Sequence, residues 1–247
     1  YKLLLREFMK KLVLLLFILV STAYSQESRY FDAPFGGGGG YSPGWIFPKI
    51  DALNKKLRFT GFPELSTGGL YTSGGAGFIY LGFIPGLRLG GMGYGGSNSE
   101  SVMTEGINKE VIYSLSGGGF TVEYTLPFVR DVGISVGAAI GGGSLKVEFY
   151  KNYYDYNWDN LLENTRSADN VNTSPTISNS FWFVSPTLNV DIPFYRFLVF
   201  RVGAGYQFTF ADKWTMDNDR SFSGVPSDFN GNSFFIQSGI FIGFFSF

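Results

Sequence analysis

The chain of 247 residues contains no cysteine and no histidine. Without cysteine, a disulfide scaffold, a thiolate metal site and a lipid anchor on a cysteine are all excluded. Without histidine, the most common general base is missing, so we predict that the protein is not an enzyme. Charged residues make up 16% of the chain, against about 25% in typical soluble domains.

Long hydrophobic runs are also scarce. The longest comprises the nine residues 12–20, which follow Met9-Lys10-Lys11 and precede small residues up to Ser25. Nine residues are too few to cross a bilayer, which needs about 20, and the flanks are typical of a secretory signal peptide over 9–25. A short buried helix is the alternative. Residues 1–8 are then an upstream extension, and 26–247 form one domain.

Basic residues do not dominate any part of the chain. Four basic residues and one acidic residue lie in 1–25, so the remaining 15 basic and 19 acidic residues give a net charge of −4. Nucleic-acid-binding proteins concentrate lysine and arginine on one face. We therefore expect no nucleic-acid partner, and we expect no metal and no cofactor.

Segments rich in aromatic, aliphatic and glycine residues alternate with two kinds of connection. Tight turns containing proline are predicted at 84–87, 127–131 and 193–196. Long polar loops are predicted at 43–68, 97–109, 151–180 and 212–232. Short connections at one end and long ones at the other are typical of outer-membrane barrels. The predicted strands are 30–42, 69–84, 87–97, 110–126, 132–150, 181–192, 198–211 and 233–247.

Apolar residues occupy every second position of these strands. In 181–192 and 198–211 the even positions are apolar, as at Trp182 and Phe208, and the odd positions are mostly small or polar. A soluble barrel, the alternative, would carry many lysines and glutamates on its polar face. We therefore predict an all-β fold: an eight-stranded antiparallel up-and-down transmembrane β-barrel with short periplasmic turns and long extracellular loops.

Aromatic residues collect at the ends of the predicted strands, as membrane interfaces require. At the long-loop end they include Phe181, Trp182, Phe208, Phe210, Phe234 and Phe235, and at the short-turn end Phe83, Phe128, Phe194, Phe197, Phe245 and Phe247.

The closing segment 241–247 resembles the C-terminal assembly signal of outer-membrane barrels, with aromatic residues at Phe241, Phe245 and Phe247. Over nearly all of 26–247 the chain resembles the small eight-stranded barrels of the OmpA transmembrane-domain and OmpX type, in architecture rather than in a specific motif. The resemblance implies export to the outer membrane of a Gram-negative cell. It also implies contact with outer-membrane lipid and lipopolysaccharide, and insertion by the barrel-assembly machinery.

Four charged residues are predicted to lie in the lumen. Glu123, Asp191 and Arg201 fall on the polar face of their strands, and Arg88 joins them. Because buried charges persist only when paired, we predict a network that couples Arg201 to Asp191 or Glu123. Its role is either structural plugging or gating.

Glycine clusters recur in successive strands, for example at 36–40 and 141–143. One interpretation is that glycine relieves crowding in a narrow, strongly bent barrel. The other is that missing side chains leave a cavity in the lumen.

The external segments are the predicted contact sites. In loop 151–180 the aromatic residues Tyr153, Tyr154, Tyr156 and Trp158 alternate with polar residues, a pattern suited to carbohydrate or protein contact or to an interfacial collar. Segment 50–59 is predicted to form an amphipathic helix over the barrel mouth. The leading hypothesis is a non-enzymatic envelope or surface-contact protein that meets an extracellular ligand or surface partner. The alternatives are a narrow channel and a lipid-modifying enzyme.

Overall fold

The computed structural model describes residues 36–127, 132–152, 172–195 and 197–245. Within these ranges lies one helix, α1 (Asp51–Thr60). The strands are β1 (Gly36–Tyr41), β2 (Gly44–Pro48), β3 (Leu70–Tyr80), β4 (Leu87–Thr104), β5 (Ile107–Thr125), β6 (Gly133–Asn152), β7 (Thr176–Tyr195), β8 (Leu198–Met216), β9 (Arg220–Phe222) and β10 (Ser233–Phe245). No helix within the described ranges is long and apolar enough to cross a bilayer.

The strands form a closed antiparallel ring. Each of β3 to β8 pairs with its neighbour in sequence, β8 pairs with β10, and β1 closes the ring between β10 and β3. β2 continues the position of β1 between the same two neighbours after a break at Ser42-Pro43, and β9 only extends the end of β8. The ring therefore has eight strand positions, which confirms the predicted eight-stranded barrel.

Alternating exposure along the strands confirms which residues face outward. In β7 the side chain of Trp182 is 71% exposed, whereas its neighbour Phe183 is 1% exposed. Exposed apolar side chains continue around the barrel on β8 and β10, at Val202, Phe208, Phe210, Ile236, Ile240 and Ile242. Two of the aromatic residues predicted to lie at the membrane interface of the long-loop end, Phe181 and Phe235, instead point inward and are buried.

The prediction of a long loop at 97–109 is wrong, because most of this segment belongs to β4 and β5. β4 and β5 pair up to Thr104↔Ile107, with only Glu105 and Gly106 between them. Both turn residues have positive φ, 52° and 78°, as a two-residue hairpin that matches strand twist requires. The polar composition of this segment reflects strands that extend beyond the apolar band, so polarity alone did not mark a loop.

Glycines on the two faces of the sheet have different surroundings. A Cβ at the inward-facing Gly74 would overlap the carbonyl oxygen of Gly93 on the next strand. A Cβ at the outward-facing Gly93 would lie at an ordinary 3.9 Å from the Gly117 carbonyl oxygen. An inward glycine such as Gly74 therefore lets neighbouring strands approach closely, which favours the interpretation that glycine relieves crowding in a narrow barrel.

Candidate functional site

The four predicted lumen charges lie together near the short-turn end of the barrel. Arg88 on β4 lies directly opposite Glu123 on β5, and Asp191 on β7 lies directly opposite Arg201 on β8. Strand register therefore places one arginine and one carboxylate on each of two opposing walls, and all four side chains are buried.

Each carboxylate of this ion-pair cluster contacts both arginines. Arg88 Nη1 donates to Asp191 Oδ2 at 2.5 Å, and Arg88 Nη2 lies 3.1 Å from Glu123 Oε2. Arg201 donates to Asp191 from Nε at 2.6 Å and from Nη2 at 3.0 Å, and to Glu123 Oε1 from Nη1 at 3.0 Å. Two positive and two negative charges leave the cluster with no net charge.

Polar and aromatic neighbours enclose the ion-pair cluster. Phe78 lies 4.7 Å from the guanidinium of Arg88 and 4.9 Å from that of Arg201, and Phe241 lies 4.9 Å from Arg201. Asn189 donates to Glu123 at 3.2 Å, and Gln237 donates to Asn189 at 2.8 Å. The aromatic and amide neighbours were not assigned to the site from the sequence, although Asn189 belongs to the predicted polar face.

The half of the lumen nearer the long loops is apolar, unlike the mostly small or polar inner face expected from segments 181–192 and 198–211. Inward side chains of β5 and β6 form an apolar cluster with residues of β2, β7, β10 and the external segments. Its members on β5 and β6 include Val111, Tyr113, Leu115, Leu145 and Val147, which are all buried. We call this cluster the upper core.

Helix α1 fills the upper core from the barrel mouth. It occupies the segment where an amphipathic helix is predicted, and it buries Leu53 and Leu57, with Ile50 buried just before it. Asn54 fixes the returning chain, because its amide donates to the Leu65 carbonyl at 2.9 Å and accepts from the Leu65 N–H at 3.0 Å.

Charged residues hold the end of α1 at the surface. Arg58 donates two hydrogen bonds to Glu64, at 2.7 and 2.8 Å, which hold the pKa of the Glu64 carboxyl below its ordinary value. Lys109 on β5 donates to the carbonyls of Thr60 and Gly61. The helix is therefore attached to the barrel rim as well as to its interior.

A second external segment closes the mouth beside α1. Phe229 is buried in the upper core and stacks on Trp214 of β8 at 5.1 Å between ring centroids. Gln207, on the inner wall of β8, donates to the carbonyl of Gly231 at 3.1 Å and accepts from the Tyr94 hydroxyl at 2.5 Å.

Two small cavities separate the upper core from the ion-pair cluster. One, of about 30 Å³, is lined in part by Ser185, Gln207 and Gln237. The other, of about 20 Å³, is lined in part by Glu123, Arg201 and Gln237. Each has room for only one or two water molecules. Among the described residues, the lumen is therefore closed on both sides of a narrow polar layer.

Of the remaining predicted site residues, Phe241 and Phe245 lie within the described ranges. Phe241 faces the lumen and is fully buried, and the backbone of Phe245 pairs with Gly36. Phe247 and the four loop residues Tyr153, Tyr154, Tyr156 and Trp158 lie outside the described residues. The assembly role of Phe241, Phe245 and Phe247 stays a prediction.

Comparison with solved structures returns bacterial barrel proteins. A major outer membrane protein of Thermus thermophilus is 10% identical with a TM-score of 0.46, and the match covers 85% of this chain and 99% of that one. Ail, the attachment invasion locus protein of Yersinia pestis, in complex with the heparin analogue sucrose octasulfate, is 10% identical with a TM-score of 0.41 and the same coverages. CarO of Acinetobacter baumannii is 11% identical with a TM-score of 0.37, covering 83% of this chain and 96% of that one.

The identities of these three matches are 10–11%. No protein-family model matches the chain, and no curated protein matches it. The closed ring of eight antiparallel strand positions and its exposed apolar side chains define the architecture as a β-barrel with an apolar outer face.

Proposed function

We propose that this protein is a non-enzymatic barrel of the bacterial outer membrane that holds external segments at the cell surface for surface contact or envelope integrity. The observation that carries the proposal is the closed lumen, in which the upper core and the ion-pair cluster fill the barrel at two levels. A barrel filled in this way is a rigid support for whatever projects from its mouth.

The outer surface supports a membrane location. Large apolar side chains such as Trp182, Phe208 and Ile242 are exposed on strands whose inner face is buried. In water this surface would favour aggregation, whereas lipid contact removes that cost. Export through a cleaved signal peptide over 9–25 belongs to the same proposal.

The buried carboxylates support a non-catalytic role. Glu123 and Asp191 are each engaged by both Arg88 and Arg201. A buried carboxylate that already contacts two arginines has little freedom to approach a substrate, so it is poorly placed to act as a general base.

The experiment measures adhesion and envelope-stress resistance, together with barrel folding, in the wild type and in one variant. In the variant, a short glycine-serine connection replaces residues 49–66. A non-adherent Gram-negative host then produces the wild-type protein or the variant. We expect wild-type cells to bind to surfaces or to resist envelope stress better than cells with the variant, while both proteins migrate as folded barrels on unboiled gels. Equal adhesion and equal stress resistance would contradict the proposal. Turnover of lipid by the purified protein would contradict its non-enzymatic part.

A further inference from the structure

The solvent-facing side of α1 differs in chemistry from its buried side. Leu53 and Leu57 point into the upper core, whereas Lys55, Lys56 and Phe59 are exposed. Phe59 is four residues from Lys55 and three from Lys56, so the three side chains are neighbours on one helix face. We call these three residues the α1 face.

The two lysines of the α1 face are available to a partner. Two other cations nearby are engaged, because Arg58 binds Glu64 and Lys109 binds the carbonyls that follow α1. No described residue forms an ion pair or a side-chain hydrogen bond with Lys55 or Lys56. Segment 49–64 contains four basic and two acidic residues, although residues 26–247 as a whole carry a net charge of −4. Segment 49–64 is thus locally basic on an acidic protein.

Phe59 adds a flat apolar surface to these charges. Its side chain is 90% exposed, at the mouth of the barrel rather than on the lipid-facing wall. An aromatic ring in this position offers its face to the C–H groups of a sugar ring, while adjacent ammonium groups attract carboxylate or sulfate groups.

We propose that the α1 face binds an anionic polysaccharide that approaches the barrel mouth from outside the cell. The inference rests on the proposed surface-contact function and names the chemistry of the partner. The opposite side of α1 is buried in the upper core, so the α1 face is turned away from the lumen, where a polymer in solution or on another surface can reach it. α1 is held by buried contacts on its other side, and its cations are therefore positioned before binding, which lowers the entropy cost of association.

The test uses the full mature protein in detergent micelles, with dextran sulfate as the probe and neutral dextran as the reference. We expect dextran sulfate to bind with an affinity that falls as salt concentration rises, and neutral dextran not to bind. The double variant Lys55→Gln/Lys56→Gln should weaken binding about fivefold to tenfold and reduce the salt dependence. Phe59→Ser should weaken binding without changing the salt dependence.

A matched control removes an exposed lysine elsewhere. Lys213→Gln, at the end of β8, should leave binding within about twofold of wild type, because long-range charge effects are screened. An equal loss in Lys213→Gln and in the double variant would overturn the proposal, since net charge alone would then explain binding. Binding to purified lipopolysaccharide but not to dextran sulfate would also overturn it.

The outcome can be separated from failure of the proposed function. If cells that produce the Lys55→Gln/Lys56→Gln variant adhere as well as wild type, but cells with the 49–66 replacement do not, surface contact stands and the polysaccharide partner is wrong. If neither change affects adhesion or envelope resistance, both proposals fail.

Discussion

Arg201 illustrates how strongly the buried charges depend on one another. It contacts Glu123 and Asp191, and the rings of Phe78 and Phe241 lie against its guanidinium. The surroundings supply almost no bulk water to solvate a charge whose partner is lost. Removing one partner of a buried pair therefore costs more than the pair itself contributes.

The first prediction concerns this dependence. Arg201→Met should destabilise the barrel by about 3–5 kcal/mol, because one negative charge stays buried without compensation. Combining it with Asp191→Leu, directly across the strand pair, should recover most of that loss, since Arg88 and Glu123 then balance each other. Urea unfolding in lipid vesicles, followed by tryptophan fluorescence, measures both variants. A double variant less stable than Arg201→Met would show that the cluster does not act as a balanced set of charges.

Two glycines allow a second test at the same scale. Gly74→Ala should lower stability by about 1–3 kcal/mol, because the added methyl group overlaps the backbone of β4 and forces the strands apart. Gly93→Ala on the outer face should stay within about 1 kcal/mol of wild type, since its methyl group has space and also restricts the unfolded chain. The same unfolding assay compares them. Equal losses in the two variants would contradict the distinction between inward and outward glycines.

Helix α1 is the element whose attachment decides whether the mouth is closed. Its buried side carries Leu53 and Leu57, and Asn54 holds the chain that follows through both of its amide atoms. The barrel strands pair with one another without using α1. The helix should therefore be able to detach while the barrel stays folded.

The third prediction tests this independence. Leu57→Asp places a charge in the upper core, where an unpaired polar group is strongly disfavoured, so α1 should leave the mouth. Limited proteolysis should then cut within 49–66 much faster than in wild type, while the unboiled protein still migrates as a folded barrel. Phe59→Ser, on the opposite side of the helix, is the control and should be cut at the wild-type rate. Slow cleavage of Leu57→Asp would mean that other contacts hold the segment.

The sequence predicts some strands, such as β7 and β8, better than it predicts the end of β4. β7 and β8 could be predicted because apolar residues alternate with small or polar ones over 184–192 and 200–210, which strands with one face in lipid require. Residues 97–104 could not be assigned to β4 in the same way, because both faces of a strand that extends beyond the lipid are polar. The turn at Glu105-Gly106 was therefore hidden within a segment that resembles a loop in composition.

The charged residues of the site could be predicted from the sequence, but the upper core and the aromatic neighbours could not. Alternation places Glu123, Asp191 and Arg201 on the inner face, and charge balance then requires that they pair. The upper core was not predictable from strand pattern, since an inward Leu115 or Val147 looks the same as a lipid-facing residue until the contribution of α1 is known. The aromatic neighbours of Arg201 depend on strands that are distant in sequence, so register had to be known first.

At the scale of the whole molecule, two fillings of different chemistry lie in series along the barrel axis. The upper core excludes ions by its apolar character, and the ion-pair cluster excludes them by occupying the cross-section with side chains. The cavities between them hold only a few water molecules. Opening one filling alone therefore leaves the other in the path of an ion, so neither filling by itself should control conduction.

The fourth prediction follows from this arrangement. Arg201→Ala alone should not raise single-channel conductance in planar bilayers, because the upper core still closes the lumen. Leu57→Asp alone should also stay closed, because the ion-pair cluster is intact. The combined variant should conduct small ions in steps that are absent from either single variant, with a pore of the small size expected for eight strands. Migration on unboiled gels confirms for each variant that the barrel is folded. A large conductance increase in Arg201→Ala alone would show that the upper core is permeable and that the ion-pair cluster is a gate, which would favour a narrow channel over a surface-contact protein.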